Sequence, residues 1–338
     1  MTCLKTSYVR LMMGSVSMDV SVEAFFAAWQ RFIPGKCRTH ELECFRYHLE
    51  SNLRLLSEEV GGGRYRHGPY RTFTVADPKR RLIAVASIRD RLVHRLVFDE
   101  LVARFDRRFI FDAWSCRRGK GLRAAIDRVQ SFLHSFPQAL VWRADIRLFF
   151  DSVDHDLLRY CLLRRINDPV NWFLLDQIID SCPMGIPIGN VTSQIFSNII
   201  LNELDRFIVH AVRPLRYLRY GDDFLLFFNN RSDAERHRCA VADFLKNALR
   251  LSLHPRNDII VPARAGLRFC GYEIFATGRR LRKGAVRRMY ERMRPGNVGS
   301  YSGLVRSEHC GKTMKLFHWH VLGIWKDKIF TAPSAAQC

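Results

Sequence analysis

The sequence has no CxxC pair, no long apolar run and few acids for its size. Its 10 cysteines stand singly, which argues against a zinc ribbon or a redox dithiol and for a reducing compartment. No stretch approaches the roughly 18 apolar residues of a membrane span, and the N-terminus lacks a signal-peptide pattern. We therefore expect a cytoplasmic protein with no membrane partner.

Positive charge is abundant instead. The 338 residues include 54 Lys and Arg against 33 Asp and Glu, which gives a formal net charge of +21. Such an excess indicates a polyanionic partner, and nucleic acid is the first candidate. The chain is long enough for more than one subdomain, and it contains no internal repeats.

Hydrophobic spacing predicts a mixture of helices and strands. Apolar positions at intervals of three or four predict helix over 21–59, and a capping box from Ser232 to Glu235 predicts a later helix start. The stretches "RTFTVAD" and "RLIAVAS" are typical of paired strands, and "ALVWRADI" is typical of a short strand. Together these elements predict an α+β fold with helices on one face of a sheet.

The stretch "RYLRYGDDFLLFF" places two adjacent carboxylates, Asp222 and Asp223, between two runs of strand-forming residues. One interpretation is ordinary hairpin chemistry, because Gly-Asp favours tight turns. In the other, like charges at the end of buried strands require a cation, and Mg²⁺ prefers such oxygen ligands. Asp145 ends another apolar strand, and neighbouring strands would bring all three carboxylates to one edge. Two cations held there would support in-line phosphoryl displacement.

Four blocks resemble, in order, the palm motifs of reverse transcriptases: "ADIRLFFDSVDHDLL", "GIPIGNVTSQIFSNIILNELDRF", "YLRYGDDFLLFF" and "LRFCGYEI". The stretches "PKRRLIAVASIRDRLVHRLV" and "SCRRGKGLRAAI" resemble the finger motifs. The form "IGNVTSQ", with "GRYRHGPYRTF" and "SYSGLVR", is similar to the group II intron-like bacterial and phage reverse transcriptases of diversity-generating retroelements.

This resemblance implies a right-hand polymerase with fingers, a palm with an antiparallel sheet, and a helical thumb. The expected domains are an N-terminal helical extension at 1–60, fingers at 61–140, a palm at 141–276 and a thumb at 277–338, with a finger segment around 155–185 inside the palm. Nothing after the expected thumb is long enough for an RNase H or homing endonuclease domain, which disfavours a retroviral or complete group II intron enzyme.

The resemblance also implies a two-metal catalytic site. Asp145 and Asp222 would be the main Mg²⁺ ligands, with Asp223 assisting or oriented toward the primer end, and Mn²⁺ would be able to replace Mg²⁺. The Lys that often follows the palm hairpin is not evident here. Arg256 stands in its place, although Arg does not readily give up a proton.

The resemblance assigns the incoming dNTP to residues of the fingers and palm. Phe150 would be an aromatic gate that excludes a 2′-hydroxyl by its volume, the alternative being an ordinary core Phe. Arg81 and Arg117 would grip the triphosphate, with Lys79 as a weaker addition, or would make general nucleic-acid contacts. Gly189 would let the backbone approach the nucleotide, because no Cβ intervenes.

Ile188 and Gln194 depart from the usual pattern at this predicted dNTP site. Most reverse transcriptases carry Gln-Gly and Ser-Pro where this chain has Ile188-Gly189 and Ser193-Gln194. A Gln can form hydrogen bonds near the nascent base pair, whereas Ile offers only apolar contact. Since apolar contact discriminates by only about 1–3 kcal/mol, we expect Ile188 to contribute to low fidelity.

The primer grip and the thumb complete the expected nucleic-acid surface. "FCGYEI" lies where the family's primer grip is expected, with Phe269, Gly271 and Tyr272 as its members, unless it is a plain strand end. A basic helix from Arg279 to Arg294 would follow the phosphates of the template and primer, or face solvent or an accessory protein. Its predicted backbone contacts are Arg279, Arg280, Arg282, Lys283, Arg287 and Arg288.

The activity implied by the resemblance is RNA-directed DNA synthesis on a template-repeat RNA. Errors opposite adenine would yield mutated cDNA for a variable gene. The expected partners are this RNA, the cDNA or primer, dNTPs and the accessory variability determinant, a basic helical oligomer. A stand-alone bacterial reverse transcriptase in antiviral defence and a catalytically inactive RNA-binding scaffold are the open alternatives.

Overall fold

The structure, a computed structural model, describes residues 18–76, 80–306 and 311–330. Its helices are α1 (Val22–Phe32), α2 (His40–Tyr47), α3 (Leu49–Gly61), α4 (Ile88–Phe105), α5 (Leu122–Ser135), α6 (Phe149–Ser152), α7 (His155–Leu163), α8 (Pro169–Ile179), α9 (Val191–Phe207), α10 (Arg231–Ala248), α11 (Lys283–Arg292), α12 (Val298–Arg306) and α13 (Gly311–Phe330). Its strands are β1 (Arg71–Ala76), β2 (Arg80–Val85), β3 (Leu140–Asp145), β4 (Arg216–Tyr220), β5 (Asp223–Phe228), β6 (Ile259–Pro262), β7 (Leu267–Phe269), β8 (Tyr272–Phe275) and β9 (Gly278–Leu281). Within these ranges no helix is both long and apolar enough to cross a membrane.

The chain forms two compact units, each assembled from separated stretches of sequence. The first comprises the described residues of Met1–Phe111, Ile146–Ala211 and Val241–Leu253. The second comprises those of Asp112–Asp145, Val212–Ala240 and His254–Cys338. Each unit draws on more than one of the domains expected from the sequence, and that division stays a prediction.

The first unit is mainly helical and is built around α4 and α9. Both helices bury apolar side chains along their length, and α1 and α7 pack against them. The strands β1 and β2 form an antiparallel hairpin in which Arg71 lies opposite Val85. This hairpin is the strand pair that the sequence predicts. A π-helical turn over Ile208–Val212 follows α9.

A buried carboxylate organises the start of α4. Asp90 is 1 % exposed and accepts hydrogen bonds from the Tyr65 hydroxyl (2.8 Å) and the Ser87 hydroxyl (2.7 Å). The Gly68 amide and an Arg89 guanidinium nitrogen each donate to it at 3.2 Å. Burial and the Asp90 charge raise the pKa of Tyr65 far above its usual value, so its hydroxyl remains a donor. The carboxylate therefore fixes the segment before β1 to the first turn of α4.

Two histidines make a second buried link within this unit. His67 Nδ1 donates to the Gly68 carbonyl at 2.6 Å, so in the neutral ring His67 Nε2 is an acceptor. His94 Nε2 then donates to it at 2.9 Å, which leaves His94 Nδ1 to accept from the Thr192 hydroxyl at 2.6 Å. Thr192 lies in the first turn of α9. The chain of bonds thus joins α4 to the start of α9.

Acid should weaken the fold through His94. Burial, and then the neighbouring His67, lower the pKa of His94 from 6.5 to about 3. Between these values the unfolded chain binds a proton that the folded chain excludes, so stability falls as pH falls, by up to about 1.4 kcal/mol per pH unit. Urea unfolding at pH 7 and pH 5 should show this loss in the wild type and a smaller loss in His94→Gln. Equal losses in both proteins would contradict the assignment.

The second unit carries two antiparallel sheets. One has the order β4-β5-β3-β6 and the other the order β7-β8-β9. The central strand β3 is buried on both faces, and the ring of Trp142 meets that of Phe224 edge-on at 5.6 Å. Helix α5 packs its apolar side, including Val129 and Phe132, against Val141 and Phe227 on the opposite face of this sheet. Mixed helices and antiparallel sheets confirm the predicted α+β class.

The structure corrects the expected continuous helix over 21–59, which is divided into α1, α2 and α3. Gly35 adopts a φ of +74°, a conformation that suits a turn and not a helix. Thr39 then caps α2 by accepting a hydrogen bond from the Leu42 amide at 3.3 Å. The apolar spacing continues through both interruptions because all three helices bury one side, which is why periodicity alone did not reveal the breaks.

The predicted capping box at Ser232 is also wrong. Helix α10 begins at Arg231, and Asn230 Oδ1 accepts from the Asp233 amide at 2.8 Å. Asn is as good an N-cap as Ser, so the two neighbouring positions compete on local chemistry alone.

Candidate active site

Two of the predicted catalytic carboxylates lie on neighbouring strands. Strands β3 and β5 are antiparallel, with Asp145 directly opposite Asp223. Opposed residues project to the same face of a sheet, with Cβ atoms about 4.5–5.5 Å apart. The structure therefore brings these two side chains together at one edge of the four-stranded sheet.

The third carboxylate lies at the turn between β4 and β5. Tyr220 pairs with Asp223, which leaves Gly221 and Asp222 as a two-residue loop. Gly221 has a φ of +66°, as the first position of a type II′ turn requires. A Cβ there would meet only Ser115 Oγ at 3.8 Å, so the backbone conformation and not crowding calls for glycine. The turn places Asp222 beside Asp223.

Asn257 forms a hydrogen bond to the Asp145 carboxylate, a contact that the sequence did not predict. Its Nδ2 donates to Asp145 Oδ2 at 2.7 Å, and the His254 amide donates to the Asp145 carbonyl at 2.7 Å. Both donors belong to the loop "HPRND" between α10 and β6. The sequence predicts that Arg256 in this segment takes the place of the expected Lys, yet Asn257 is the residue whose side chain reaches Asp145. No local pattern singles out this Asn, because the contact joins residues more than one hundred positions apart.

Arg143 and Cys270 lie close to the carboxylates. Arg143 Nη2 lies 3.9 Å from Asp223 Oδ1, a long ion pair that offsets part of the negative charge. Burial, and then the Asp223 charge, raise the pKa of the Cys270 thiol well above its usual value. Cys270 and Gly271, with φ of +45° and +88°, form the turn between β7 and β8. The thiol thus stays protonated near a concentration of acid groups.

The carboxylates suit Mg²⁺ as an incomplete set of ligands. No group of three or more His, Cys, Asp or Glu side chains forms a metal cage in the described ranges. Mg²⁺ commonly binds to one or two carboxylates and completes its coordination with substrate phosphates and water. Asp145 and Asp223 provide such a pair, with Asp222 adjacent to it. Their chemistry fits a divalent cation that arrives with a nucleotide.

The loop before α9 is held tightly against β2 within the first unit. The Ala84 amide donates to the Ile188 carbonyl at 2.8 Å, and Asn190 Nδ2 donates to the Ala84 carbonyl at 3.2 Å. Gly189 has a φ of +117°, and a Cβ there would lie 2.8 Å from the Ala84 carbonyl oxygen. Close approach to β2 therefore accounts for glycine at this position, and its predicted approach to a nucleotide stays a prediction.

The other residues predicted to bind the dNTP differ in how deeply they are buried. Phe150 is partly buried, and its ring meets Phe149 edge-on at 5.6 Å. Arg81 and Gln194 are exposed, whereas Arg117 is partly buried and donates to the Ala113 carbonyl at 3.1 Å. Phe150, Arg81 and Gln194 belong to the first unit, as do Ile188 and Gly189, and Arg117 belongs to the second. Lys79 lies outside the described residues.

The predicted primer grip is a tight turn with buried flanks. Phe269 and Tyr272 are 1 % and 2 % exposed, and the Tyr272 hydroxyl donates to the Leu304 carbonyl at 3.2 Å. Their side chains therefore belong to the core of the second unit and do not face a primer, contrary to the expectation for Tyr272. Gly271 is exposed, and no atom lies within 4 Å of the position that its Cβ would take. Only the backbone of this turn is therefore available to contact a primer.

The basic helix is shorter than predicted. Arg279 and Arg280 lie in β9, and α11 begins at Lys283. Arg279 is 6 % exposed and pairs with Asp127, so it is not available as a phosphate contact. Arg280 pairs with Glu273 at 2.8 Å. The exposed members of the predicted set are Arg280, Arg282, Lys283 and Arg287, and Arg288 is partly buried.

Comparison with known proteins decides the family. The profile of the reverse transcriptase (RNA-dependent DNA polymerase) family matches residues 76–273, more than half of the chain. The chain belongs to the reverse transcriptase family. The matched region contains Asp145, Asp222 and Asp223 and ends just after the turn at Gly271. For this reverse transcriptase the α+β architecture is that of a right-hand polymerase, and its family makes DNA on an RNA template.

Relatives of this reverse transcriptase include bacterial and fungal proteins. It is 25 % identical over 286 residues to protein YkfC of Escherichia coli, covering 71 % of this chain and 74 % of YkfC. It is 23 % identical over 291 residues to the putative COX1/OXI3 intron 1 protein of Saccharomyces cerevisiae, covering 67 % of this chain and 34 % of that protein. The reverse transcriptase thus spans most of one relative and about a third of the other.

Solved structures that match part of this chain include telomerases. Telomerase from Candida albicans in complex with a fragment of telomeric RNA matches with a TM-score of 0.48 and 10 % identity, covering 68 % of this chain and 51 % of that one. Apo telomerase from Candida tropicalis matches with a TM-score of 0.48 and 12 % identity, covering 62 % and 47 %. The reverse transcriptase spans about half the length of these chains.

Proposed function

We propose that this chain itself catalyses Mg²⁺-dependent RNA-directed DNA synthesis at Asp145, Asp222 and Asp223. The pairing of Asp145 with Asp223 across β3 and β5 carries this proposal, because it concentrates acid groups at one sheet edge. A bound divalent cation would supply charge neutralisation for the triphosphate and activation of the primer hydroxyl. The Asn257 amide fixes one oxygen of Asp145, and Arg143 limits the repulsion at Asp223.

Phe150 is proposed as the residue that selects deoxyribonucleotides. Its carbonyl accepts from the Ile186 amide at 2.8 Å, and a Cβ on Gly185 would lie 2.3 Å from the same oxygen. These contacts fix the backbone of Phe150. The ring is thereby held in place, so its volume can exclude a 2′-hydroxyl.

Phe150→Ala should raise incorporation of ribonucleotides relative to deoxyribonucleotides by about tenfold or more, since removal of a bulky side chain admits the 2′-hydroxyl. Single-nucleotide extension with dATP and ATP on one primed template measures the ratio. Phe149→Leu, a change at the buried neighbour, is the matched control. An unchanged ratio in Phe150→Ala would assign the ring to packing alone.

We further propose that the enzyme belongs to the diversity-generating class and copies a template-repeat RNA with errors opposite adenine. The support is the apolar Ile188, whose backbone is fixed against β2 and whose side chain is partly exposed. An Ile held at this place supplies shape without a hydrogen bond, so a mismatched base meets little polar penalty. The accessory variability determinant, a basic helical oligomer, is the proposed protein partner.

The test is cDNA synthesis on an RNA that spans the template repeat, with the accessory protein present, followed by sequencing. We expect errors concentrated opposite adenine in the wild type and fewer in Ile188→Gln. Ile188→Val, which keeps the apolar contact, is the matched control. An identical error spectrum in Ile188→Gln would remove Ile188 from the mechanism. Accurate or untemplated DNA from the wild type would favour the defence enzyme, and no DNA at all would favour the RNA-binding scaffold.

A further inference from the structure

The first unit contains a cavity of about 390 Å³ between the ends of α4, α7 and α9. Phe105, Ile110, Cys161 and Ile199 form its apolar walls. This volume falls within the range of small-molecule sites, roughly 300–1,000 Å³. None of its lining residues belongs to the predicted catalytic, dNTP-binding, primer-grip or phosphate-contacting sets.

Arginines give the cavity a strongly positive lining. Arg164 pairs with Glu203, with 3.0 Å between Nη1 and Oε1. Arg108, Arg165 and Arg206 are exposed, and none of them forms an ion pair with a carboxylate of the described chain. The lining thus has four guanidinium groups and one carboxylate. Because a planar guanidinium matches two oxygens of a phosphate, a phosphorylated ligand suits this charge.

The cavity lining also offers a buried polar group and apolar side chains. Asn202 Oδ1 is buried, and no donor reaches it within the described ranges. Leaving a buried acceptor unsatisfied costs about 1–3 kcal/mol, so a ligand N–H beside it would be stabilising. Phe105 and Ile199 provide surfaces against which a planar ring can pack. A nucleobase carries both the ring and the N–H groups.

The end of α9 has an unusual backbone at this cavity. The π-helical turn over Ile208–Val212 directly follows α9, and it adds His210 to the lining. Such wider turns occur frequently at functional sites. The backbone irregularity and the arginine cluster therefore coincide at the same cavity.

We propose that this cavity binds a nucleoside phosphate, with its phosphate on the arginines and its base between Phe105 and Ile199 beside Asn202. A free nucleotide and an unstacked nucleotide of single-stranded RNA present the same chemistry. Proteins commonly recognise such RNA bases by packing against the ring and bonding to its edge. The site is separate in its residues from the carboxylates, so the proposal does not rest on the function proposed above.

The first experiment uses the full chain in EDTA, which removes divalent metal and with it metal-dependent nucleotide binding. A fluorescent AMP analogue is titrated into the wild type, Arg206→Glu, Asn202→Leu and the control Arg46→Glu, an exposed arginine of α2. Arg206→Glu should weaken binding by about tenfold or more, as expected for loss of a charge-assisted hydrogen bond. Asn202→Leu should also weaken binding, and Arg46→Glu should leave it unchanged.

The second experiment identifies the source of the nucleotide. A short single-stranded RNA that contains 8-azidoadenosine is cross-linked to the wild type, and the labelled peptides are mapped. AMP binding that Arg206→Glu weakens supports a free nucleotide, and cross-links to 105–110 or 199–210 that Arg206→Glu abolishes support an RNA nucleotide. Equal displacement of AMP by inorganic phosphate would overturn the role of the base.

Two further results would overturn the site itself. One is unchanged AMP binding and unchanged cross-linking in Arg206→Glu. The other is binding of an acidic peptide in preference to both nucleotide probes. Urea unfolding of each variant, and primer extension on a short template, check that the variants fold. Loss of AMP binding with normal primer extension separates this cavity from the polymerase site.

Discussion

Asp145→Asn should reduce DNA synthesis on a primed RNA template by about 1,000-fold or more. The amide keeps the shape of the side chain opposite Asp223 but removes the charge that a cation requires. A factor of 1,000 corresponds to about 4 kcal/mol, the scale of metal-based stabilisation of a phosphoryl-transfer transition state. The initial rate of dNTP incorporation at saturating Mg²⁺ measures the loss.

The control is Asp243→Asn, which neutralises an exposed acid on α10. We expect this variant to retain wild-type synthesis, because the position has no part in the carboxylate cluster. Urea unfolding should show that both variants fold. An Asp145→Asn enzyme within about tenfold of the wild type, or 1.4 kcal/mol, would contradict the proposed catalytic site.

Asp90→Ala should destabilise the fold by about 3–5 kcal/mol, the cost of removing one partner from a buried charged network. The substitution leaves the Tyr65 hydroxyl and the Gly68 amide without their acceptor and removes one of the two carboxylates that pair with Arg89. It also removes the carboxylate that accepts from the Ser87 hydroxyl, whereas the backbone amide at position 90 can still donate to Ser87 Oγ. The midpoint and slope of urea unfolding at pH 7 give the free energy of unfolding.

Asp99→Ala on the same helix is the matched control for Asp90→Ala. Asp99 pairs with Arg31 and Arg95, but its own carboxylate is partly exposed where that of Asp90 is buried, so its loss should cost no more than about 1 kcal/mol. Similar effects of the two substitutions would show that the buried bonds of Asp90 add little to stability.

Local patterns predicted the parts of the site that lie along one strand or turn. Alternating and continuous apolar runs located β3 and β5, and "GDD" located the turn that bears Asp222. Two-residue periodicity and turn chemistry act over a few positions, so a sequence displays them directly. The order of these motifs then gave the α+β class and the family.

These local patterns do not predict contacts between segments that are distant in the sequence. Asn257 reaches Asp145, and Cys270 approaches Asp223, only after β6 and the β7–β8 turn have been placed by packing. For Arg279 the sequence predicted a contact that the fold does not allow. Its charge suggested a phosphate contact, but the side chain is buried against Asp127. Residue type states what a side chain can do, but burial and partners decide whether a nucleic acid can reach it.

The hydrogen bond between Ala84 and Ile188 joins two main chains, and therefore does not depend on which side chain stands at position 188. Selection can exchange that side chain while the loop keeps its place on β2. Gly189 cannot vary in the same way, because any Cβ would press on the Ala84 carbonyl. A substitution at position 188 can therefore change what that side chain contacts without loss of the fold.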